Sequence, residues 1–171
     1  FSLIVWGNGT SASGGNEYPD YFNHLASHGF VVAAHHTNMA GSGTPLLDAA
    51  ARMMEENEDP SSIFYQRIEP SYGMMGKSQG AIAASRDVEV APDAVAAVMI
   101  AGSRPDLTKP GLWATGDADF LRTQTRSGYE SATNWRVYAE AAGGVGHQDL
   151  NTHIGVVELA TSFMRCFLRG D

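Results

Sequence analysis

A short stretch near the middle of the chain has the pattern of a nucleophilic serine. Gly76-Lys77-Ser78-Gln79-Gly80 matches G-x-S-x-G, in which the serine lies on a sharp turn from a strand into a helix. The apolar run Tyr72-Gly73-Met74-Met75 before it is typical of a strand, and the small residues after it are typical of a helix. We expect glycine on both sides of the serine because larger side chains would collide in so tight a turn. The pattern predicts Ser78 as a nucleophile at a helix N-terminus, where the dipole favours developing negative charge; the alternative is an ordinary strand-to-helix turn.

A serine hydroxyl needs a base to take its proton and a carboxylate to orient that base. Where a serine lies on this kind of turn, the acid and then the histidine follow it along the chain. Asp117 and Asp119 both follow the predicted strand Leu112–Thr115 and are the candidate acids. We favour Asp119, because Asp117 directly follows Gly116 and suits the shaping of the turn.

Two histidines follow the predicted strand Arg136–Ala139 and compete for the role of base. His147 lies in the glycine-rich loop Gly143-Gly144-Val145-Gly146, whereas His153 lies at the start of the last predicted helix. A histidine at a helix start needs no catalytic explanation, so we favour His147.

An acyl-transfer site also needs backbone donors for the oxyanion of the intermediate. One donor is the N–H that follows the nucleophile, which is that of Gln79. The second is expected from the loop after the first strand, Gly7-Asn8-Gly9-Thr10. We favour the Thr10 N–H, with Asn8 as the alternative donor. The segment could also be an ordinary glycine turn with no role in catalysis.

The other histidines do not predict a metal or cofactor site. Adjacent residues on a strand point to opposite faces, so His35 and His36 chelate one ion poorly. A metal site that joins one of them to the favoured base and acid is the less favoured alternative. His24 and His28 are four apart on a predicted helix and are expected at the surface.

Short apolar runs alternate with longer helical patterns, as in a parallel sheet flanked by helices. We predict a three-layer αβα fold with a mostly parallel sheet of about six strands, in one domain over residues 1–171. The predicted strands are Leu3–Trp6, Phe30–Ala34, Tyr72–Met75, Ala94–Ile100, Leu112–Thr115 and Arg136–Ala139. The predicted helices cover Tyr18–His28 after a Gly/Ser-rich loop, a segment that begins at Pro45, the segment from the serine turn to Arg86, and Thr152–Leu168. The second strand is apolar throughout, as expected for one covered on both faces. Ile154, Val157, Leu159, Phe163, Met164 and Phe167 are expected to form the buried side of the last helix.

The composition and charge of the chain exclude some classes of binding partner. A chain of 171 residues with 43% hydrophobic and 18% charged residues is that of a folded protein, and its net charge of −8 argues against nucleic acid. No apolar run reaches the roughly 18 residues of a membrane span. Cys166 is the only cysteine, so no internal disulfide is expected, and the first residues lack a signal-peptide pattern.

With these residues in place, the chain resembles the bacterial cutinase-like and polyester-hydrolase branch of the α/β-hydrolases, near the dienelactone hydrolases. The resemblance covers nearly the whole chain and is strongest at Leu25–Val32 and at Thr37-Asn38. It implies the α/β-hydrolase fold in a minimal form without a lid, and hydrolysis of small or polymeric esters by a serine esterase that needs no cofactor. The Gly-x-x-Asp spacing from Gly116 supports Asp119, and the family's oxyanion position falls closest to Thr10. The resemblance also favours secretion.

The departures from that family concern the substrate. Lys77 stands where the family has His or Trp, and Gln79 replaces a frequent Met. The segment Ala101–Asp106 lacks the Trp of the family's aromatic clamp, so small or flexible aliphatic esters are expected to be preferred over rigid aromatic polyesters. The alternatives are a catalytically weak or inactive core, or another chemistry on the same scaffold, such as that of a dienelactone hydrolase, lyase or haloperoxidase.

Overall fold

In the computed structural model, which describes residues 1–10, 17–38, 40–42 and 44–171, six parallel strands form one sheet. The strands are β1 Leu3–Gly7, β2 Val31–Ala34, β3 Tyr72–Lys77, β4 Ala94–Ile100, β5 Gly111–Gly116 and β6 Arg136–Ala141. The helices are α1 Pro19–Ser27, α2 Pro45–Glu58, α3 Gln79–Val90, α4 Arg122–Ser131 and α5 Ile154–Arg169, with a 3₁₀ turn at Asp149–Asn151. The prediction of a parallel three-layer α/β fold is confirmed, and each predicted strand is found within two residues of its expected ends.

Helices cover both faces of the sheet, because side chains alternate in direction along each strand. In β1, Ile4 and Trp6 pack in the layer formed with α1 and α5. Leu3 and Val5 point the other way, into the layer formed with α2, α3 and α4. All four side chains are fully buried. Such continuous apolar runs are typical of central parallel strands.

Three elements differ from the sequence predictions. β2 lies at the edge of the sheet and pairs only with β1, so its residues are partly exposed, although α1 and α2 pack against its two faces. Helix α4 was not predicted, because it is mostly polar and buries only Thr125 and Gly128 among its residues. In α5 the expected core residue Ile154 is 58% exposed, since it occupies the first helical position, beyond the sheet-facing stripe.

The order of strands places a crevice between β1 and β3. The strands run β2-β1-β3-β4-β5-β6 across the sheet. The chain therefore passes from β1 to β2 at one edge, and then crosses to β3 on the other side of β1. The connection after β1 leads to α1 on one face, and that after β3 leads to α3 on the other. Ligands of parallel α/β sheets bind at such a reversal, outside the carboxyl ends of the strands. Ser78 directly follows β3 at this point.

Candidate active site

The serine turn has a strained backbone. Ser78 connects the end of β3 to the first residue of α3 with φ 57° and ψ −119°. A non-glycine residue rarely has positive φ, and such strain persists only where the surrounding structure fixes it. The strand that precedes Ser78 is buried throughout, while Ser78 itself is partly exposed. The turn therefore presents the hydroxyl at the carboxyl edge of the sheet.

Close packing of backbones explains the two glycines of the motif. A Cβ on Gly76 would overlap the carbonyl group of Gly80 in the first turn of α3. A Cβ on Gly80 would overlap the carbonyl oxygen of Gly7, at the end of the neighbouring strand β1. The predicted steric need for glycine on both sides of Ser78 is confirmed. Gly7 has the same need, and sequence reasoning missed it because the contact joins the end of β1 to the start of α3, which are far apart in the chain.

Asp119 and His147 form a hydrogen-bonded pair beside the serine turn. Both Asp119 carboxylate oxygens lie 3.1 Å from His147 Nδ1. The Asp119 side chain is fully buried, and its Oδ1 also accepts a hydrogen bond from the Leu121 N–H at 2.7 Å. Because a carboxylate only accepts, the Nδ1 of His147 carries the proton, and in the neutral imidazole the lone pair is on Nε2. Asp119 thus holds the imidazole in the tautomer that a base requires.

Asp117 has a different structural task. Its carboxylate accepts hydrogen bonds from the N–H groups of Gly143, Gly144 and Val145 at 2.8–3.2 Å. The N–H bonds from Gly144 and Gly143 are the main reason that the pKa of Asp117 lies below its usual value. Asp117 therefore shapes the loop that leads to His147 but does not contact the imidazole. Of the two candidate acids, Asp119 is the one beside the histidine.

A cavity of about 350 Å³ lies at the crevice and includes Ser78 and His147 in its wall. Other wall residues are Thr10, Glu17, Tyr18, Lys77 and Phe120. The Phe120 ring, which is 75% exposed, stacks on the His147 ring with centroids 4.4 Å apart. Within the described part of the chain the Ser78 hydroxyl makes no hydrogen bond, so the Ser78 and His147 side chains face one cavity without being joined. Such contacts often tighten only when substrate binds.

The candidate oxyanion donors differ in position. Gln79 is the first residue of α3, and the first N–H groups of a helix have no acceptor within it. Thr10 lies in the cavity wall, whereas Asn8 is buried outside that wall and its side chain donates to the carbonyl oxygens of His35 and Thr37. This geometry favours Thr10 over Asn8 as a donor that substrate can reach.

Tyr18 anchors the loop that carries Thr10, a role that sequence reasoning missed. The Gly9 N–H donates to the Tyr18 hydroxyl at 3.0 Å, and the Tyr18 ring packs on Trp6 with centroids 4.9 Å apart. Burial raises the pKa of Tyr18, so the hydroxyl stays neutral at physiological pH. The loop between Thr10 and Glu17, residues 11–16, lies outside the described residues and includes the predicted Gly/Ser-rich segment. The absence of a lid therefore stays a prediction.

In the sequence, Lys77 differs from the His or Trp of the family that the chain resembles, and nothing there predicts its burial. In the structure it is 3% exposed and lies in the cavity wall next to Ser78. Burial lowers the pKa of its ammonium to about 8, against the opposing effect of Asp119 and Glu17. A nearly buried cation beside the serine is the most unusual electrostatic feature of the site, since lysine is rarely buried unless it is paired.

The remaining histidines lie outside this cavity wall. His153 caps α5, where its Nδ1 accepts from the Val156 N–H at 3.4 Å. His35 is partly buried with an unpaired Nδ1, and the neighbouring His36 is exposed. His24 and His28 share a face of α1 with ring centroids 4.4 Å apart, and both are partly buried rather than fully at the surface. No group of three or more metal-ligating side chains occurs within residues 1–10, 17–38, 40–42 and 44–171.

Comparison with known proteins adds no family assignment. A scan of the chain against protein-family models finds no matching family, and a search of the curated proteins finds no similar sequence. None of the helices in the described ranges is long and apolar enough to cross a membrane.

Proposed function

We propose that this protein is a serine hydrolase of carboxylic esters, related to the cutinase-like α/β-hydrolases, that acts through an acyl-enzyme intermediate. The observation that carries the proposal is the Asp119–His147 hydrogen bond across one cavity from Ser78, which lies on a strained strand-to-helix turn. A serine on a strained strand-to-helix turn, a histidine oriented by a carboxylate and helix N–H groups are features that support serine acyl transfer.

In the proposed reaction, Ser78 Oγ attacks the ester carbonyl carbon as its proton passes to His147 Nε2. The negative charge moves to the former carbonyl oxygen, where the N–H groups of Gln79 and Thr10 stabilise it. Collapse of this intermediate breaks the bond to the alcohol, which takes the proton from His147 and leaves an ester on Ser78. Water then attacks that ester with the same histidine as base, so the acid is released and the serine is restored.

The cavity supports a small acyl or alcohol group as substrate. A volume of about 350 Å³ lies at the lower end of small-molecule sites. Tyr18 and Phe120 are the aromatic residues in the described part of its wall. The segment Ala101-Gly102-Ser103 after β4 is buried and does not reach the cavity wall. Among polyesters, only flexible chain ends or loops would fit this cavity.

Hydrolysis of short-chain p-nitrophenyl esters by matched variants tests the proposal. Ser78→Ala and His147→Ala should each reduce kcat by several orders of magnitude, because the triad groups act as one unit. His153→Ala is the matched control, and it should keep most of the activity, since His153 lies at the start of α5 and not in the cavity wall. Full activity of the Ser78 variant, or loss of activity only in the His153 variant, would refute this assignment.

A catalytically inactive core is the alternative, because no hydrogen bond joins Ser78 to His147. The same assay distinguishes the two functions when folded protein is verified by circular dichroism. Folded wild-type protein with no hydrolysis above the Ser78→Ala baseline would favour the inactive core.

A further inference from the structure

Lys77 brings a positive charge into the candidate substrate cavity. The residue ends β3 and is part of the cavity wall together with Ser78 and His147. Only 3% of Lys77 is exposed, and its ammonium forms no hydrogen bond or ion pair with any residue in the described ranges. Lysine side chains this buried normally have a partner, because an ammonium loses water as a hydrogen-bond acceptor on burial.

The neighbouring carboxylates do not supply that partner. Asp119 has the larger electrostatic effect on Lys77 of the two carboxylates, but its oxygens already accept hydrogen bonds from His147 and the Leu121 N–H. Glu17 is exposed at the cavity wall, where water screens its charge. Burial lowers the pKa of Lys77 more than these two carboxylates raise it. Lys77 therefore brings to the cavity wall an ammonium that has no hydrogen-bond partner within the described ranges.

We propose that Lys77 is a specificity-determining residue that binds a carboxylate on the substrate, so that the preferred substrates are monoesters of short dicarboxylic acids. This inference rests on the proposed ester hydrolysis at Ser78 and names its substrate class. Because Lys77 and Ser78 are adjacent in the chain and share one cavity of about 350 Å³, the carboxylate must lie only a few bonds from the scissile carbonyl. A charge-assisted hydrogen bond in a site of low exposure is stronger than one between neutral groups.

Two esters that differ in one group test this specificity. Monoethyl glutarate carries the carboxylate, and ethyl glutaramate carries an uncharged amide of the same shape. At pH 7 the wild-type protein should show kcat/KM about 10–100-fold higher for monoethyl glutarate, measured as ethanol released. Lys77→Met should reduce this ratio to near one, mainly through KM, and Lys77→Arg should retain most of it. An unchanged ratio in Lys77→Met, or a wild-type preference for the amide, would overturn the proposal while leaving ester hydrolysis intact.

Binding to protein without the serine hydroxyl separates specificity from catalysis. Calorimetric titration of monoethyl glutarate into Ser78→Ala should give binding that weakens at least about tenfold in Ser78→Ala/Lys77→Met. Binding of this kind by a protein that hydrolyses neither ester would support the anion site and contradict the proposed function. Equal binding by both variants, each verified as folded by circular dichroism, would overturn the role of Lys77.

Discussion

Replacement of Lys77 by methionine should stabilise the protein. Methionine keeps the unbranched stem of lysine and removes the ammonium. The folded state lowers the pKa of Lys77 from its usual value near 10.5 to about 8, which means that the charged form is disfavoured by burial. A shift of that size corresponds to roughly 3 kcal/mol between the charged and neutral forms at neutral pH. We expect the free energy of unfolding to rise by up to about 3 kcal/mol in Lys77→Met, or roughly 6–12 °C in Tm.

The gain in unfolding free energy from Lys77→Met should depend on pH. Between pH 8 and pH 10.5 the unfolded chain keeps a proton on Lys77 that the folded protein has lost. The contribution of Lys77 to wild-type stability is therefore least favourable below pH 8 and improves as pH rises towards 10.5. The difference in unfolding free energy between Lys77→Met and wild type should be largest at pH 7 and small near pH 10.5.

Urea unfolding followed by tryptophan fluorescence measures this difference, since Trp6 and Trp113 are fully buried. Comparison of variant with wild type at each pH cancels the titration of other groups, such as the buried Tyr21, whose pKa is raised by burial. A variant less stable than wild type at pH 7, or a gain that is the same at pH 7 and pH 10, would show that Lys77 is not a desolvated cation. The specificity proposed for this residue would then lose its physical basis.

Other substitutions test the rest of the site. Asp119→Asn should reduce kcat by about 10⁴-fold in the ester assay, because the amide favours the wrong histidine tautomer. Asp117→Asn should reduce kcat by less than about tenfold. The reverse order of the two effects would show that Asp117 is the acid. Tyr18→Phe should lower kcat by roughly tenfold with little change in KM, because the Gly9 N–H loses its buried acceptor and the Thr10 loop its anchor; an unchanged kcat would exclude this loop from the oxyanion site. Phe120→Ala should raise KM for aromatic esters by up to about tenfold. Release from an aliphatic polyester film should exceed that from poly(ethylene terephthalate), and faster attack on the aromatic polymer would show that some other residue supplies an aromatic clamp.

The sheet was predictable because buried parallel strands are short apolar runs with turn residues at their ends. The turn around Ser78 was predictable for a similar reason, since both glycines of the motif meet backbone atoms that leave no room for a side chain. Helix α4 was not predictable from periodicity, because Arg122–Ser131 has few apolar residues and packs through Thr125 and Gly128. The helix also contacts the core through the partly buried Tyr129 ring, whose centroid lies 6.0 Å from that of Trp113.

Long-range contacts limited prediction of the site. The preference for Asp119 over Asp117 came from local reasoning about turns, but the contacts that distinguish them join residues 28 positions apart in the case of Asp119 and His147. The burial of Lys77 was not predicted, because lysine is among the residues least often buried. Lys77 is the last residue of β3, which lies between β1 and β4 and is buried throughout.

Labelling of Ser78 by a fluorophosphonate tests the central claim most directly. The reagent phosphonylates a serine only when an adjacent base and oxyanion donors activate it, so the result does not depend on the choice of ester. We predict that one equivalent of the reagent adds to the native protein, that mass spectrometry of peptides locates it on Ser78, and that neither Ser78→Ala nor urea-unfolded protein is labelled. No label on the folded wild-type protein, or a label on a different serine, would contradict the account.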